Sequence, residues 1–265
     1  MSSPGILNPL LYRRLGRSLR WSSVSLGRLV SDSLFPRQCL TCESFLSDSP
    51  NTYLCPACAG QVARLDGPAC DTCSQPFWTF GASFIDEGAD CGLCRTHPPP
   101  FVRARSVGLY RGKLKTMVLL MKYRPKAQAA FALAGLLIEA YPSLFGELVP
   151  DAVVPIPLHT ERFLERELDQ ATLMARELAR TTGWPLRLWL RKVRHTPPQS
   201  RLSRAGRRAN VRGAFALAPR ARPEGRTVLL IDDVLTTGAT AREAARVLVR
   251  AGANAVYVYT AARAE

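Results

Sequence analysis

Asp232 and Asp233 stand side by side directly after four apolar residues, Val228–Ile231, and directly before a small hydroxylated run that ends in Thr236-Thr237-Gly238-Ala239-Thr240. The apolar four are long enough for a strand buried on both faces. The pattern after Thr240, Ala241–Ala251, is helical. The spacing therefore predicts a strand that ends at two acids, then a compact loop that opens a helix. The first turn of a helix carries unpaired N–H groups and partial positive charge, so an anion binds there readily. Gly238 permits positive φ and close backbone approach, and Thr236, Thr237 and Thr240 add hydroxyl donors. The two carboxylates repel a phosphate. They suit sugar hydroxyls, directly or through a hard Mg²⁺ ion. The chemistry implied is the binding of a phosphorylated ribose.

The thirteen residues from Val228 to Thr240 resemble the phosphoribosyl-pyrophosphate (PRPP) motif of type I phosphoribosyltransferases. The resemblance implies that Asp232 and Asp233 hold the ribose hydroxyls while Thr236, Thr237, Gly238, Ala239 and Thr240 wrap the 5-phosphate. The spacing of a Walker loop is absent. Two arginine-bearing segments are expected to converge on this site. Arg162 and Arg166 follow the apolar run Asp151–Leu158 and could grip a pyrophosphate through charge-assisted bonds. Arg201, Arg204, Arg207 and Arg208 lie in a Pro/Ser/Gly-rich setting that reads as a mobile cationic loop able to close over an anion.

All eight cysteines fall in four C-x-x-C pairs: Cys39/Cys42, Cys55/Cys58, Cys70/Cys73 and Cys91/Cys94. Two thiolates three residues apart reach one metal ion, and two such knuckles complete a closed tetrahedral Cys₄ site. Four repeats with no cysteine left over predict two structural zinc ions rather than a redox pair. The chain shows no secretory signal, which argues against disulfides. The spacings allow sequential pairing or a cross-brace, and the sequential double ribbon is favoured. His97 reads as a bystander.

The elements that must position these groups alternate between strand and helix. Arg103–Tyr110 alternates as a strand, Leu114–Lys122 as a helix, and Ala127–Ile138 as a core helix too short to span a bilayer. Asp151–Leu158 reads as a strand with prolines at its end, Gln170–Thr181 as a helix stopped by Gly183, and Leu186–Lys192, Val211–Leu217 and Ala255–Ala261 as strands. Such alternation predicts an α/β fold with a parallel sheet, in which ligands bind at the carboxyl ends of the strands. The expected organisation is a basic extension or amphipathic helix over 1–35, a double ribbon over 36–98 and an α/β domain over 101–265. Hydrophobic residues make up 47% of 265, which excludes global disorder. The formal charge of +15 is concentrated where acids are absent: Cys91–Ile138 holds nine Lys and Arg, and Leu178–Pro223 holds twelve. Such stretches suit nucleic acid or a pyrophosphate-bearing ligand. Tyr110, Tyr123, Trp184 and Trp189 lie among these cations and are candidates for base stacking or for the core.

Taken in order, "SLFPRQCLTC", "LYRGKLKTMVLLMKY", "VVPIPLH", "RHTPPQSRLSRAGRRANVRGAF" and "VLLIDDVLTTGAT" resemble the ComF competence proteins, which join zinc ribbons to a phosphoribosyltransferase-like domain. The resemblance implies a cytoplasmic protein, membrane-associated through partners such as a competence helicase. It would handle incoming single-stranded DNA (ssDNA) during natural transformation and bind PRPP with Mg²⁺. Two modes stay open: a PRPP-dependent transferase, with nucleotide salvage as the alternative role, or a DNA-binding module that uses the nucleotide site as a sensor. One block departs from the family. Arg-Gly-Phe-Asn-Gln is replaced by Arg166-Glu167-Leu168-Asp169-Gln170, and the two added acids are expected to weaken anion binding there.

Overall fold

The computed structural model describes residues 37–46, 53–77, 88–123, 127–158, 169–194 and 204–264. Its centre is a four-stranded, all-parallel sheet in the order β1–β6–β5–β2. The strands are β1 (Arg103–Leu109), β2 (Ala152–Pro155), β5 (Thr227–Leu235) and β6 (Ala255–Arg263). Helices α3 (Gly112–Tyr123), α4 (Ala127–Phe145) and α5 (Gln170–Thr182) lie on one face. Helix α7 (Ala239–Arg250) lies on the other. A small antiparallel pair, β3 (Leu190–Lys192) with β4 (Phe215–Leu217), packs on the α7 side, and α6 (Arg204–Val211) precedes β4. Two short helices, α1 (Pro56–Gly60) and α2 (Gly92–Thr96), belong to the cysteine knuckles. The parallel sheet covered on both faces, preceded by cysteine ribbons, is the architecture expected from the sequence.

Strand β5 is central because its run has no polar side. Val228, Leu229, Leu230 and Ile231 are all fully buried. Alternation sends Leu229 and Ile231 into the α3–α5 layer and Val228 and Leu230 into the α7 layer. Helix α4 is apolar around most of its surface and inserts Ala129, Ala130, Leu133 and Leu137 fully into the core. It runs to Phe145, beyond the expected Ile138, and is the one described helix long and apolar enough to cross a membrane. Its burial against the sheet and α5 identifies it here as a core helix.

Several boundaries differ from the sequence reading. Strand β5 does not stop at the acids. It continues through Val234 and Leu235, because β6 also extends to Arg263 and keeps the ladder going. Leu186–Lys192 is not one strand: Leu186 makes a single bridge to Val153, and only Leu190–Lys192 is regular. Val211 closes a helix rather than opening a strand. The segment containing Arg204, Arg207 and Arg208 is therefore helical where a loop was expected. Alanine and arginine are both strong helix formers, and five of those eight residues are Arg or Ala. Residues 1–35 and Arg201 lie outside the described residues.

Candidate functional site

The carboxyl ends of β2 and β5 form the natural crevice of this sheet. The chain leaving β2 returns as α5 on one face, whereas the chain leaving β5 enters α7 on the other. Neighbouring strands whose connections diverge in this way leave an open cleft at their carboxyl ends. Asp232 and Asp233 lie on β5 at that cleft, and the Thr236–Thr240 loop follows. Gly238 is the N-cap of α7, with φ 73° and ψ 5°, a left-handed conformation that a side chain adopts only with strain. It supplies no side-chain acceptor of its own. Thr237 Oγ1 accepts from the Ala239 N–H at 3.4 Å. The cradle is thus built of small residues at the positive end of a twelve-residue helix.

The two acids are not equivalent. Strand alternation turns Asp233 toward the α3 layer and Asp232 toward the α7 layer. Asp233 pairs with Lys122, at the end of α3, with 2.7 Å between Oδ2 and Nζ. Burial opposes the lysine charge, but the carboxylate more than offsets this, and the Lys122 pKa is raised. Asp232 is half-buried at the cleft. Burial, reinforced by the neighbouring Asp233 charge, pushes its pKa up to about 8. At neutral pH the cluster therefore holds a protonated Asp232 beside a Lys122–Asp233 ion pair. That arrangement is better matched to hydroxyl groups than to a bare dication. A Mg²⁺ ion arriving with its ligand would meet oxygen donors here, in competition with Lys122 and the Asp232 proton.

The sequence did not single out Lys122. It lies among Lys113, Lys115 and other cations that look alike in the sequence. One signal was present: it follows buried Val118 by one helical turn, at the margin of the face made by Leu114, Met117, Val118 and Met121. Tyr110 lies within electrostatic reach of Lys122 and Asp233, and burial raises its pKa. Tyr123, next to Lys122, is 73% exposed, whereas Trp184 is half-buried against the core and packed edge-on to Tyr141 at 4.7 Å. Arg162 and Arg166 lie outside the described residues. The departure at Asp169 has a structural explanation. Asp169 is the N-cap of α5 and accepts from the Thr172 N–H at 3.2 Å. Asp and Asn cap helices equally well, so the change from the family's Asn preserves the cap. Burial raises the Asp169 pKa, so the added negative charge is muted.

The cysteines assemble sequentially into two sets, Cys39/Cys42/Cys55/Cys58 and Cys70/Cys73/Cys91/Cys94. Within each set all four sulfurs lie within 4.8 Å of one another. Cys42 and Cys55 Sγ are 3.7 Å apart, and Cys73 and Cys91 Sγ are 3.8 Å apart. Four sulfurs at the zinc–thiolate bond length sit about 3.8 Å apart around a tetrahedron, so both sets fit Zn²⁺. Backbone N–H groups of Cys55 and Cys58 in the first set, and of Cys73 and Cys91 in the second, point at ligand sulfurs at 3.3–3.4 Å. Within the second set, bonds from Cys73 and Cys94 lower the Cys70 pKa, while contacts with Cys70 and Cys73 raise that of Cys94. Crowded thiols that share protons in this way are relieved by a dication.

A second cationic feature lies beside the Thr236–Thr240 loop. Arg242, Arg246 and Arg250 recur at one-turn intervals on α7 and line a cleft of about 740 Å³ with Arg212 and His97. Its acid, Glu243, is engaged by Arg246 and by the Gly213 N–H.

A parallel α/β domain with an acidic strand end, a glycine-capped loop opening a helix and a Cys₄ double ribbon defines the class. Residues 30–95 match the double zinc ribbon domain family. Over 233 residues the chain is 32% identical to the DNA utilization protein YhgH of Salmonella typhimurium, an overlap of 86% of this chain and 97% of that protein. Over 237 residues it is 30% identical to competence protein F of Haemophilus influenzae, covering 88% and 99% respectively. Among solved structures, the glutamine PRPP amidotransferase of B. subtilis, complexed with ADP and GMP, is similar at 28% identity and a TM-score of 0.33. That likeness takes in 48% of this chain and 25% of the other. The chain belongs to the ComF family of competence proteins.

Proposed function

We propose that this protein binds PRPP or a related 5-phosphoribosyl ligand at Asp232, Asp233 and the Thr236–Thr240 loop. We propose further that it binds single-stranded DNA along its arginine-lined cleft and acts in DNA uptake during natural transformation. The observation that carries this reading is the placement of the two acids and the Gly238-capped loop together at the divergent strand ends. Asp233, held by Lys122, accepts from one ribose hydroxyl, and Asp232 exchanges hydrogen bonds with the other. The 5-phosphate lies against the start of α7. The family membership supports the link to DNA, and the run of arginines on α7 offers a phosphate backbone evenly spaced partners. When zinc is bound, it closes both ribbons as structural sites.

Isothermal titration separates the parts. PRPP with Mg²⁺ should bind, and Asp232→Asn with Asp233→Asn should abolish the binding. Oligo-dT should bind with an affinity that falls steeply with salt, and replacing Arg246 and Arg250 by Gln should flatten that slope. Binding of PRPP unchanged by the double Asn variant would overturn the ribose assignment. Release of pyrophosphate on adding a nucleobase would instead favour a transferase of nucleotide salvage.

A further inference from the structure

Two buried or half-buried arginines join the second cysteine set to the Thr236–Thr240 loop, and among the described residues nothing comparable joins the first. Arg263 ends β6 and is 4% exposed. Its Nη1 donates to the Leu235 carbonyl at 2.7 Å and to the Thr236 carbonyl, the two residues that lead into the loop. Its Nη2 donates to Gln75 Oε1. Gln75 lies two residues after Cys73, and its carbonyl accepts the Cys70 N–H at 2.9 Å, closing that knuckle. Arg242 makes the second link. Its N–H bonds the Gly238 carbonyl at 2.8 Å, the first turn of α7. Its guanidinium donates to the His97 carbonyl at 2.7 Å and to Cys94 Sγ at 3.8 Å. The same knuckles are clamped to β1 by the Arg105–Asp71 and Arg103–Asp71 pairs at 2.7 and 2.8 Å. By contrast, Cys39, Cys55 and Cys58 pack into the α3–α5 core.

We infer that the second zinc ribbon is part of the phosphate-binding loop, and that Gln75, Arg263 and Arg242 are positioning residues through which zinc at Cys70/Cys73/Cys91/Cys94 and ligand at Thr236–Thr240 support one another. This rests on the proposed phosphoribosyl site. The physical basis is that a planar guanidinium fixes whatever lies at both of its ends. Carbonyls of Leu235 and Thr236 held by Arg263 cannot turn into the cradle. The Cys94 sulfur that accepts from Arg242 is oriented by the same residue that abuts Gly238. Hydrogen bonds to metal ligands from outside the coordination sphere alter metal affinity about 10- to 100-fold. Binding linkage is reciprocal, so a ligand whose affinity this zinc strengthens must raise the affinity for the zinc by the same factor, and slower release is the expected sign of that tightening.

The test follows zinc release from the fully loaded protein to a chelating dye, with and without PRPP·Mg²⁺, alongside calorimetric titration of the same ligand. Release should occur in two phases, with PRPP slowing one of them about fivefold or more and leaving the other unchanged. Gln75→Leu should weaken PRPP binding about tenfold and erase the protection while still carrying two zinc ions. Gln75→Glu, which keeps the oxygen acceptor, should restore both. Arg242→Met against Arg242→Lys provides a second pair should Gln75→Leu fail to fold. If wild-type protein binds PRPP but the two phases are slowed equally, or not at all, the coupling is wrong while the ligand site stands. If Gln75→Leu or Arg242→Met is protected like the wild type, the positioning roles are wrong. Absence of PRPP binding to the wild-type protein removes the site itself, and the inference with it.

Discussion

At the level of single residues, the acid pair illustrates what adjacency in a sequence does and does not specify. Asp232-Asp233 stood out in the sequence as a candidate site because two acids after a buried strand have few structural uses. Their inequivalence was not legible, because it depends on which layer covers each face of β5. Two expectations follow. Asp232 has a folded-state pKa raised from 3.8 to about 8. Below pH 4 it is protonated in both folded and unfolded chains, so it exerts no drag. As pH rises from 4 through 8 the unfolded chain ionises freely while the folded one resists, and stability falls. Asp232→Asn should therefore raise the melting temperature of the ligand-free protein more at pH 8 than at pH 5, by about 2–4 °C for each kcal/mol relieved. Thermal scans at the two pH values check this. Lys122→Met should act in the opposite sense. Removing one partner of a buried ion pair typically costs about 3–5 kcal/mol. Both side chains here are about one-fifth exposed, so the lower end is expected, measured by urea unfolding at pH 7.

At the level of elements, strands and helices carrying a strong period were readable, and those shaped by a neighbour were not. Strands β1, β2 and β6 and helices α3, α5 and α7 fall where pattern and caps place them. Gly183, in the left-handed conformation, stops α5 as expected. The extra residues at the ends of β5 and β6 arise because each supplies the other's hydrogen bonds out to Leu235 and Arg263. No local signal encodes such mutual extension. The pairing of β1 with the segment between the two ribbons was likewise invisible. Gly108 faces the Ala63 carbonyl so closely that any Cβ would collide with it, while the Leu109 N–H donates to that same oxygen at 2.7 Å. Gly108→Ala should therefore disturb this contact and destabilise the protein by about 1–3 kcal/mol, as overpacking does. Denaturant titration of the variant gives the value. Asp169→Ala removes the α5 cap and should cost about 1 kcal/mol. Asp169→Asn should be near neutral in the same assay.

At the level of the whole molecule, the ribbons and the α/β unit form one packed body. Leu54, Cys55 and Val62 share a hydrophobic cluster with Met117, Leu133 and Leu137. The second ribbon joins the sheet through the Thr72 carbonyl, which accepts the Ala104 N–H at 2.8 Å, and through Ser74 Oγ, which donates to the Ala104 carbonyl at 2.7 Å. The cysteine pattern pointed to two Cys₄ sites and favoured the sequential grouping over a cross-brace, and the structure has that grouping. It could not reveal that the ribbons complete the core and the edge of the sheet, because the contacts span 30 or more residues. Stripping both metals with a strong chelator should therefore lower the melting temperature of the entire protein in a single transition. A separate early transition followed by an unchanged late one would contradict this.

Covering β1 also determines how the molecule fails. With the ribbons in place, the outer side of β1 bonds Thr72 and Ala63. Without them, β1 becomes an exposed edge with unpaired backbone groups, a ready template for strands of other copies. Metal loss should consequently lead to sedimentable, β-rich assemblies rather than to a soluble unfolded chain. The zinc ions, read first as struts for a small module, thus also act as keepers of solubility for the neighbouring sheet.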